Sequence, residues 1–202
     1  FGASDSKHTT QTKNMDYING SLYLSGMMKG GFAPYGEEEA RIASKSTPLN
    51  GFVIKCDASN GEWLGGVSAD EQGIGGYFGV AKGKENNLYA YGYSWATPNK
   101  GICLTTIDES SWKKTEKIAL ITETGMGTAW SCLADGTNFY SFSRGNKAVN
   151  FYNSEFTLPA PTGWGMFISS WKLDDIATGI ETPNLAGNDT RIYGVQGGVV
   201  AN

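Results

Sequence analysis

Gly51-Phe52-Val53-Ile54-Lys55-Cys56-Asp57-Ala58-Ser59-Asn60-Gly61-Glu62-Trp63-Leu64-Gly65-Gly66-Val67 reads as a strand, an acidic turn and a returning strand. Asn60-Gly61 supplies the turn, because glycine takes positive φ without strain and Asn-Gly is the strongest short hairpin signal. Two further segments open on a glycine and run through a strand to an acidic turn. They are Gly101-Ile102-Cys103-Leu104-Thr105-Thr106-Ile107-Asp108 and Gly165-Met166-Phe167-Ile168-Ser169-Ser170-Trp171-Lys172-Leu173-Asp174.

A second kind of segment alternates with the first, three times over. It is a polar turn followed by an aromatic strand: Asn19-Gly20-Ser21-Leu22-Tyr23-Leu24-Ser25-Gly26, Asn86-Asn87-Leu88-Tyr89-Ala90-Tyr91-Gly92, and Asp135-Gly136-Thr137-Asn138-Phe139-Tyr140-Ser141-Phe142-Ser143. Runs such as Gly79-Val80-Ala81 and Ala129-Trp130-Ser131-Cys132-Leu133 supply a strand before the aromatic one, and Lys117-Ile118-Ala119-Leu120-Ile121 supplies a return. Each unit therefore offers about four short antiparallel strands, the content of one propeller blade. The repeat steps are uneven and somewhat longer than the ~40–50 residues of typical blades, so loops vary on a constant core. Three units are too few to close a ring of ~4–8 blades, so an open arrangement, further sequence or another chain is expected to complete it. Lys29 to Leu49 interrupts the first unit, and its Glu37-Glu38-Glu39-Ala40-Arg41-Ile42 reads as a solvated loop.

The Gly51-to-Trp63 run and the Leu-Tyr-x-x-Gly strands before it resemble bacterial β-propeller repeats, over roughly Met15 to Asp174. The tail, Ala177-Thr178-Gly179-Ile180-Glu181 and then Thr190 to Val200, resembles the opening of the C-terminal sorting domains of type IX secretion. Its matches are Tyr193, Gly197 and Val200, and the later strand of that family is absent. The resemblance implies residues 1–177 as a propeller-like repeat region and 178–202 as a linker with a partial sorting segment. It also implies an extracellular or outer-surface location in a Gram-negative bacterium.

Composition agrees with an all-β, propeller-like antiparallel fold of about three repeats followed by a short linker and terminal strand. The 202 residues include 28 Gly, 6 Trp, 10 Tyr and 9 Phe, with only 18% charged. Aromatics suit pleated surfaces and glycines suit turns. A net charge of −4 gives no electrostatic pull toward nucleic acid, and no partner of that kind is expected. No apolar stretch approaches the ~18–20 residues of a membrane span, so membrane insertion is not expected. The opening Phe1-Gly2-Ala3-Ser4-Asp5 lacks an initiator Met and a signal peptide, which reads as a mature, truncated or partial product. Cys56, Cys103 and Cys132 sit in apolar runs without C-x-x-C spacing and read as buried hydrophobes.

Chemistry is hard to find in this chain. His8 is the lone histidine, which rules out a His-based triad or multi-His zinc site within one chain. Asp57, Glu62, Asp70, Glu71, Asp108, Glu109, Glu123, Asp135, Asp174 and Asp175 lie mostly in turn contexts, where Asp bonds its own backbone. No Asp-x-Asp-x-Asp-Gly calcium loop occurs, and Gly73-Ile74-Gly75-Gly76-Tyr77-Phe78-Gly79 reads as a turn entering a strand rather than a phosphate loop. No catalytic residue, metal site or cofactor is expected. Trp63, Trp112 and Trp130 read as packing between repeats, whereas Tyr91, Tyr93, Trp95 and Trp164 are the candidate ligand-binding aromatics. The expected function is a non-catalytic binding or adhesion module recognising protein or glycan, or another copy or segment that completes the propeller. The alternatives are an accessory part of a larger secreted hydrolase and a structural component of a surface assembly.

Overall fold

The computed structural model describes residues 9–33, 41–43, 49–69, 74–94, 101–119, 127–146, 149–150, 157–158, 162–172, 192–194 and 199–201. Every regular element among them is a β-strand, and every paired neighbour is antiparallel. The first unit comprises β1 (Thr9–Ile18), β2 (Ser21–Lys29), the short pair β3 (Gly31–Phe32) and β4 (Ile42–Ala43), β5 (Asn50–Asp57) and β6 (Trp63–Ser68). The second comprises β7 (Ile74–Lys82), β8 (Asn87–Ser94), β9 (Gly101–Asp108) and β10 (Lys113–Ala119). The third comprises β11 (Gly127–Ala134), β12 (Asn138–Gly145), the pair β13 (Val149–Asn150) and β14 (Thr157–Leu158), and β15 (Gly165–Lys172). Two tail strands follow, β16 (Ile192–Gly194) and β17 (Val199–Ala201).

Three meandering sheets result, ordered β1-β2-β5-β6, β7-β8-β9-β10 and β11-β12-β15-β16-β17. The two repeated segment types are thus the second and third strands of each sheet. The first hairpin turns on Asn19 (φ 48°) and Gly20 (φ 82°), the paired positive values of a type I′ turn.

Repetition extends to the irregularities. Each first strand carries a one-residue bulge at the same register position, at Lys13, Phe78 and Trp130. The bulge lies opposite Ser25-Gly26, Tyr91-Gly92 and Phe142-Ser143 in turn. A Cβ at Gly26 would lie 2.0 Å from the Gln11 carbonyl oxygen, and one at Gly92 would lie 2.0 Å from that of Gly76, so backbone approaches backbone where only hydrogen fits. A second bulge recurs in the fourth strands of the first two sheets, at Leu64 and Thr115. Bulges bend and twist a strand, so matched bulges give matched sheet shapes that can stack.

Stacking is where the core lies. β7 lies against β1, β2 and β5, and β11 lies against β7, β8 and β9. Tyr23 and Val53 of the first sheet pack with Tyr77, Val80, Leu88, Ala90, Cys103 and Ile107 of the second. On the far side of the second sheet, Tyr89 and Tyr91 meet Phe139 edge-on, with ring centroids 6.0 and 5.8 Å apart. The back of the first sheet is covered differently. Phe32 and Ile42 of the β3–β4 pair pack with Met28, Phe52, Ile54 and Cys56, and Trp63 and Leu24 border them. Of the Glu37 to Ile42 run expected as a solvated loop, residues 37–40 lie outside the described residues and Arg41 is exposed, but Ile42 is buried with Phe32 in this cap, because both bring apolar area to a sheet face that needs cover.

The tail also enters the sheet. β16 pairs with β15 through Phe167↔Gly194 and Ile168↔Tyr193, giving the third sheet a fourth strand at its edge. Of the expected linker and sorting segment at 178–202, residues 178–191 and 195–198 lie outside the described residues.

Trp112, half-buried at φ 54°, fastens the outer part of the first two sheets by laying its indole over Gly65. A methyl at Gly65 would sit 2.0 Å from Trp112 Nε1, and Gly65 holds φ 153°. Gly65→Ala should therefore lower stability by about 1–3 kcal/mol through overpacking, read as a reduced urea midpoint with an unchanged slope.

Candidate functional site

The acidic turns hold their carboxylates by local hydrogen bonds. Asp57 Oδ1 accepts from Ser59 N at 2.7 Å and Ser59 Oγ at 2.5 Å. Asp108 Oδ1 accepts from Ser110 N and Oγ at 2.9 and 2.7 Å, while its Oδ2 accepts from Ser111 Oγ at 2.8 Å. Asp135 Oδ1 takes the Thr137 and Asn138 amides at 2.9 and 2.7 Å, and its Oδ2 takes the Tyr140 hydroxyl at 2.9 Å. These donors hold all three carboxyls below the usual range: Ser59 for Asp57, Ser110 for Asp108, and the Asn138 amide for Asp135. Such groups are poor proton acceptors, and the turn reading of the sequence accounts for them.

Glu109 behaves differently. It follows Asp108 in the second turn, and its side chain reaches into the junction with the first sheet. Tyr23 donates its hydroxyl to Glu109 Oε1 at 2.6 Å. Lys55 pairs with the same oxygen and Lys82 with Oε2. The Glu109 amide donates to the Asn86 carbonyl at 2.8 Å and fixes the turn beneath. Burial alone would raise the Glu109 pKa, but the Lys55, Lys82 and Tyr23 hydrogen bonds outweigh it and hold the group at about 2. Tyr23 is pushed up by its own burial and by the carboxylate it serves. The position equivalent to Glu109 in the first turn is Ala58, whose amide likewise bonds a hairpin carbonyl, that of Gly20 at 3.1 Å. A charged residue where its repeat equivalent is alanine was the available sequence signal.

Asp16 is the other carboxylate committed between sheets. Its Oδ2 accepts the Val80 amide at 3.0 Å, two residues beyond the Phe78 bulge, and the Asn14 amide donates to both its oxygens at 3.1 Å. Burial raises its pKa against those bonds.

The four aromatics singled out from sequence are not one cluster. Tyr91 is buried between the second and third sheets and shares a hydrogen bond with Ser143 Oγ, which makes it a core residue. Tyr93 is half-buried against Phe78, with centroids 5.6 Å apart. Trp95 lies outside the described residues. Trp164 is exposed, and the Arg144 guanidinium stacks on its ring at 3.9 Å. Asp70, Glu71, Glu123, Asp174, Asp175 and His8 also fall outside the described residues.

Of the tryptophans assigned to packing, Trp63 lies against Phe32 with centroids 6.1 Å apart and Trp112 joins the junction core, but Trp130 is exposed. Trp130 is the bulged residue of β11 and meets Phe142 edge-on at 6.2 Å, on the side of the third sheet that faces away from the second. That outward face strings together Leu133, Trp130, Ile168, Met166 and Trp164, all exposed, with Tyr140 and Phe142 half-buried among them. Five of the eight exposed large hydrophobic residues among the described residues lie on it. A groove of about 450 Å³ opens between β6 and β10, lined by Ile42, Val67, Ser68, Trp112, Lys113 and Lys114. Lys114 is committed there to the Ala69 carbonyl.

No protein-family model matches this chain, and no curated protein sequence matches it.

The Glu109 cluster predicts an acid limb. A carboxyl whose folded pKa lies near 2 and whose ordinary value is 4.5 contributes stability above the ordinary value, and that contribution is lost as pH falls from 4.5 toward 2. Glu109→Gln should cost about 1–3 kcal/mol at neutral pH, since Lys55 and Lys82 are left without an anion. The difference in unfolding free energy between the two proteins should shrink as pH falls through that window.

Proposed function

We propose that this chain is a propeller-like repeat module, secreted or displayed at the outer surface of a Gram-negative bacterium, that acts by binding protein or glycan rather than by catalysis. The observation that carries this reading is the open outward face of the third sheet. Exposed apolar faces of this kind mark interaction surfaces in soluble proteins, and tryptophan and arginine are enriched where such surfaces bind. Trp164 with Arg144 stacked on it is a rigid, flat, partly charged platform that suits a sugar ring or a planar peptide side chain. Five carboxylates of the described residues are engaged in holding the fold. Asp57, Asp108 and Asp135 serve turns, and Asp16 and Glu109 serve the sheet junction. The propeller reading draws on the three equivalent meanders and their matched bulges. Secretion rests on the tail resemblance.

The test is direct binding to arrayed glycans and to extracellular protein extracts, followed by titration of any hit through tryptophan fluorescence. Trp164→Ala is expected to weaken that binding about tenfold or more, ~1.4 kcal/mol, with an unchanged melting curve. An affinity that survives both Trp164→Ala and Trp130→Ala would remove the outward face as the binding surface.

A further inference from the structure

The two ends of the three-sheet stack carry matching halves of the junction that the chain already uses twice. In each junction the first strand of the incoming sheet lies across the sheet before it, as β7 does on the first sheet and β11 on the second. Two residues past its bulge, that strand inserts a side chain between the layers. In β7 this is Val80 and in β11 it is Cys132, which are 2% and 6% exposed. The same position in β1 is Met15, which is 60% exposed. Tyr17 beside it is exposed as well. β1 therefore has the inserting residue of a junction and, among the described residues, no sheet to insert it into.

The receiving half is repeated in the same way. Val53 in β5, Leu104 in β9 and Ile168 in β15 are equivalent, each paired with the residue preceding Gly26, Gly92 or Ser143. Val53 and Leu104 are 0% and 1% exposed beneath the next sheet, but Ile168 is 45% exposed. Tyr23 and Tyr89, both buried, have their equivalent in the half-exposed Tyr140. Among the described residues the third sheet thus has a receiving face and no sheet upon it. β16 extends that sheet along its edge, which leaves the face open.

We propose that the outward face of the third sheet receives β1 of a second copy of this chain, head to tail. Met15 and Tyr17 of one copy seat on Leu133, Tyr140, Phe142 and Ile168 of the other. The β3–β4 cap takes the place of the second- and third-strand part of such a junction, on Leu24, Phe52 and Cys56, and leaves Met15 and Tyr17 exposed, so the contact is made by β1 alone. The contact is heterologous, so an open assembly keeps one free β1 and one free third sheet until a ring closes. The proposal rests on the outward face being a recognition surface, and it names what sits there.

Sedimentation equilibrium over a wide concentration range, on the wild type and on Met15→Lys and Ile168→Lys, tests it. The wild type is expected to associate beyond a single chain. Each variant alone is expected to stay monomeric with an unchanged melting curve, since both positions are exposed in one copy. An equimolar mixture of the two variants should form a pair and stop at two chains, because one supplies an intact third sheet and the other an intact β1. A wild type that stays monomeric, a variant that associates alone as the wild type does, or a mixture that stays monomeric would each overturn the proposal. If the wild type is monomeric yet binds a glycan or protein through Trp164, the recognition reading survives and this inference falls. If it neither associates nor binds, both fall.

Discussion

Each sheet of this protein is apolar on both faces, so each needs cover on two sides. A face left in water forgoes roughly 25 cal/mol for every Å² of apolar surface that could have been buried. The second sheet meets the requirement fully, lying between its neighbours with Tyr77, Tyr89, Tyr91, Leu88, Ile102 and Leu104 all buried. The first sheet meets it with one neighbour and a cap built from Phe32 and Ile42. Among the described residues, the third has a neighbour on one side only. Most of what distinguishes one part of the molecule from another follows from that inequality, including the exposure of Trp130 and Ile168.

Apolar packing alone would let such layers slide, and polar groups set into the junctions fix their alignment. Asp16 accepts the amide of Val80 across the first junction. Glu109 draws Tyr23 and Lys55 from one sheet and Lys82 from the other onto a single carboxylate. In the second junction Tyr91 meets Ser143, and Ser141 and Ser169 join hydroxyls at 2.5 Å within the third sheet. A slip of one residue along any strand would turn these groups to the wrong face and leave them buried without partners.

The strands and their order were readable because turn chemistry is local. Asn19-Gly20, Asp57 to Gly61 and Asp135-Gly136 announce hairpins regardless of what lies far away in sequence. The antiparallel all-β class and the two alternating strand types followed from those turns. Burial was less readable because it depends on what lies opposite. Leu88-Tyr89-Ala90-Tyr91 is apolar at every position since both faces are covered, so no alternation marked Tyr91 as a core residue and Trp130 as an exposed one. The cap was missed for the same reason, with Phe32 and Ile42 flanking a run of glutamates that dominates any local reading. Glu109 looked like its turn neighbours until the fold brought Lys55 and Lys82 to it.

The three thiols occupy three different layers. Cys56 lies under the cap behind the first sheet, Cys103 lies in the first junction, and Cys132 Sγ faces the backbone of Gly79 in the second. Burial raises the pKa of Cys56 and Cys132, so the native chain shows little thiolate to a labelling reagent at those sites. Alkylation of each cysteine then requires its own layer to part. Followed residue by residue, the labelling rates would act as three independent clocks, reporting the order in which cap, first junction and second junction open when the stack breathes.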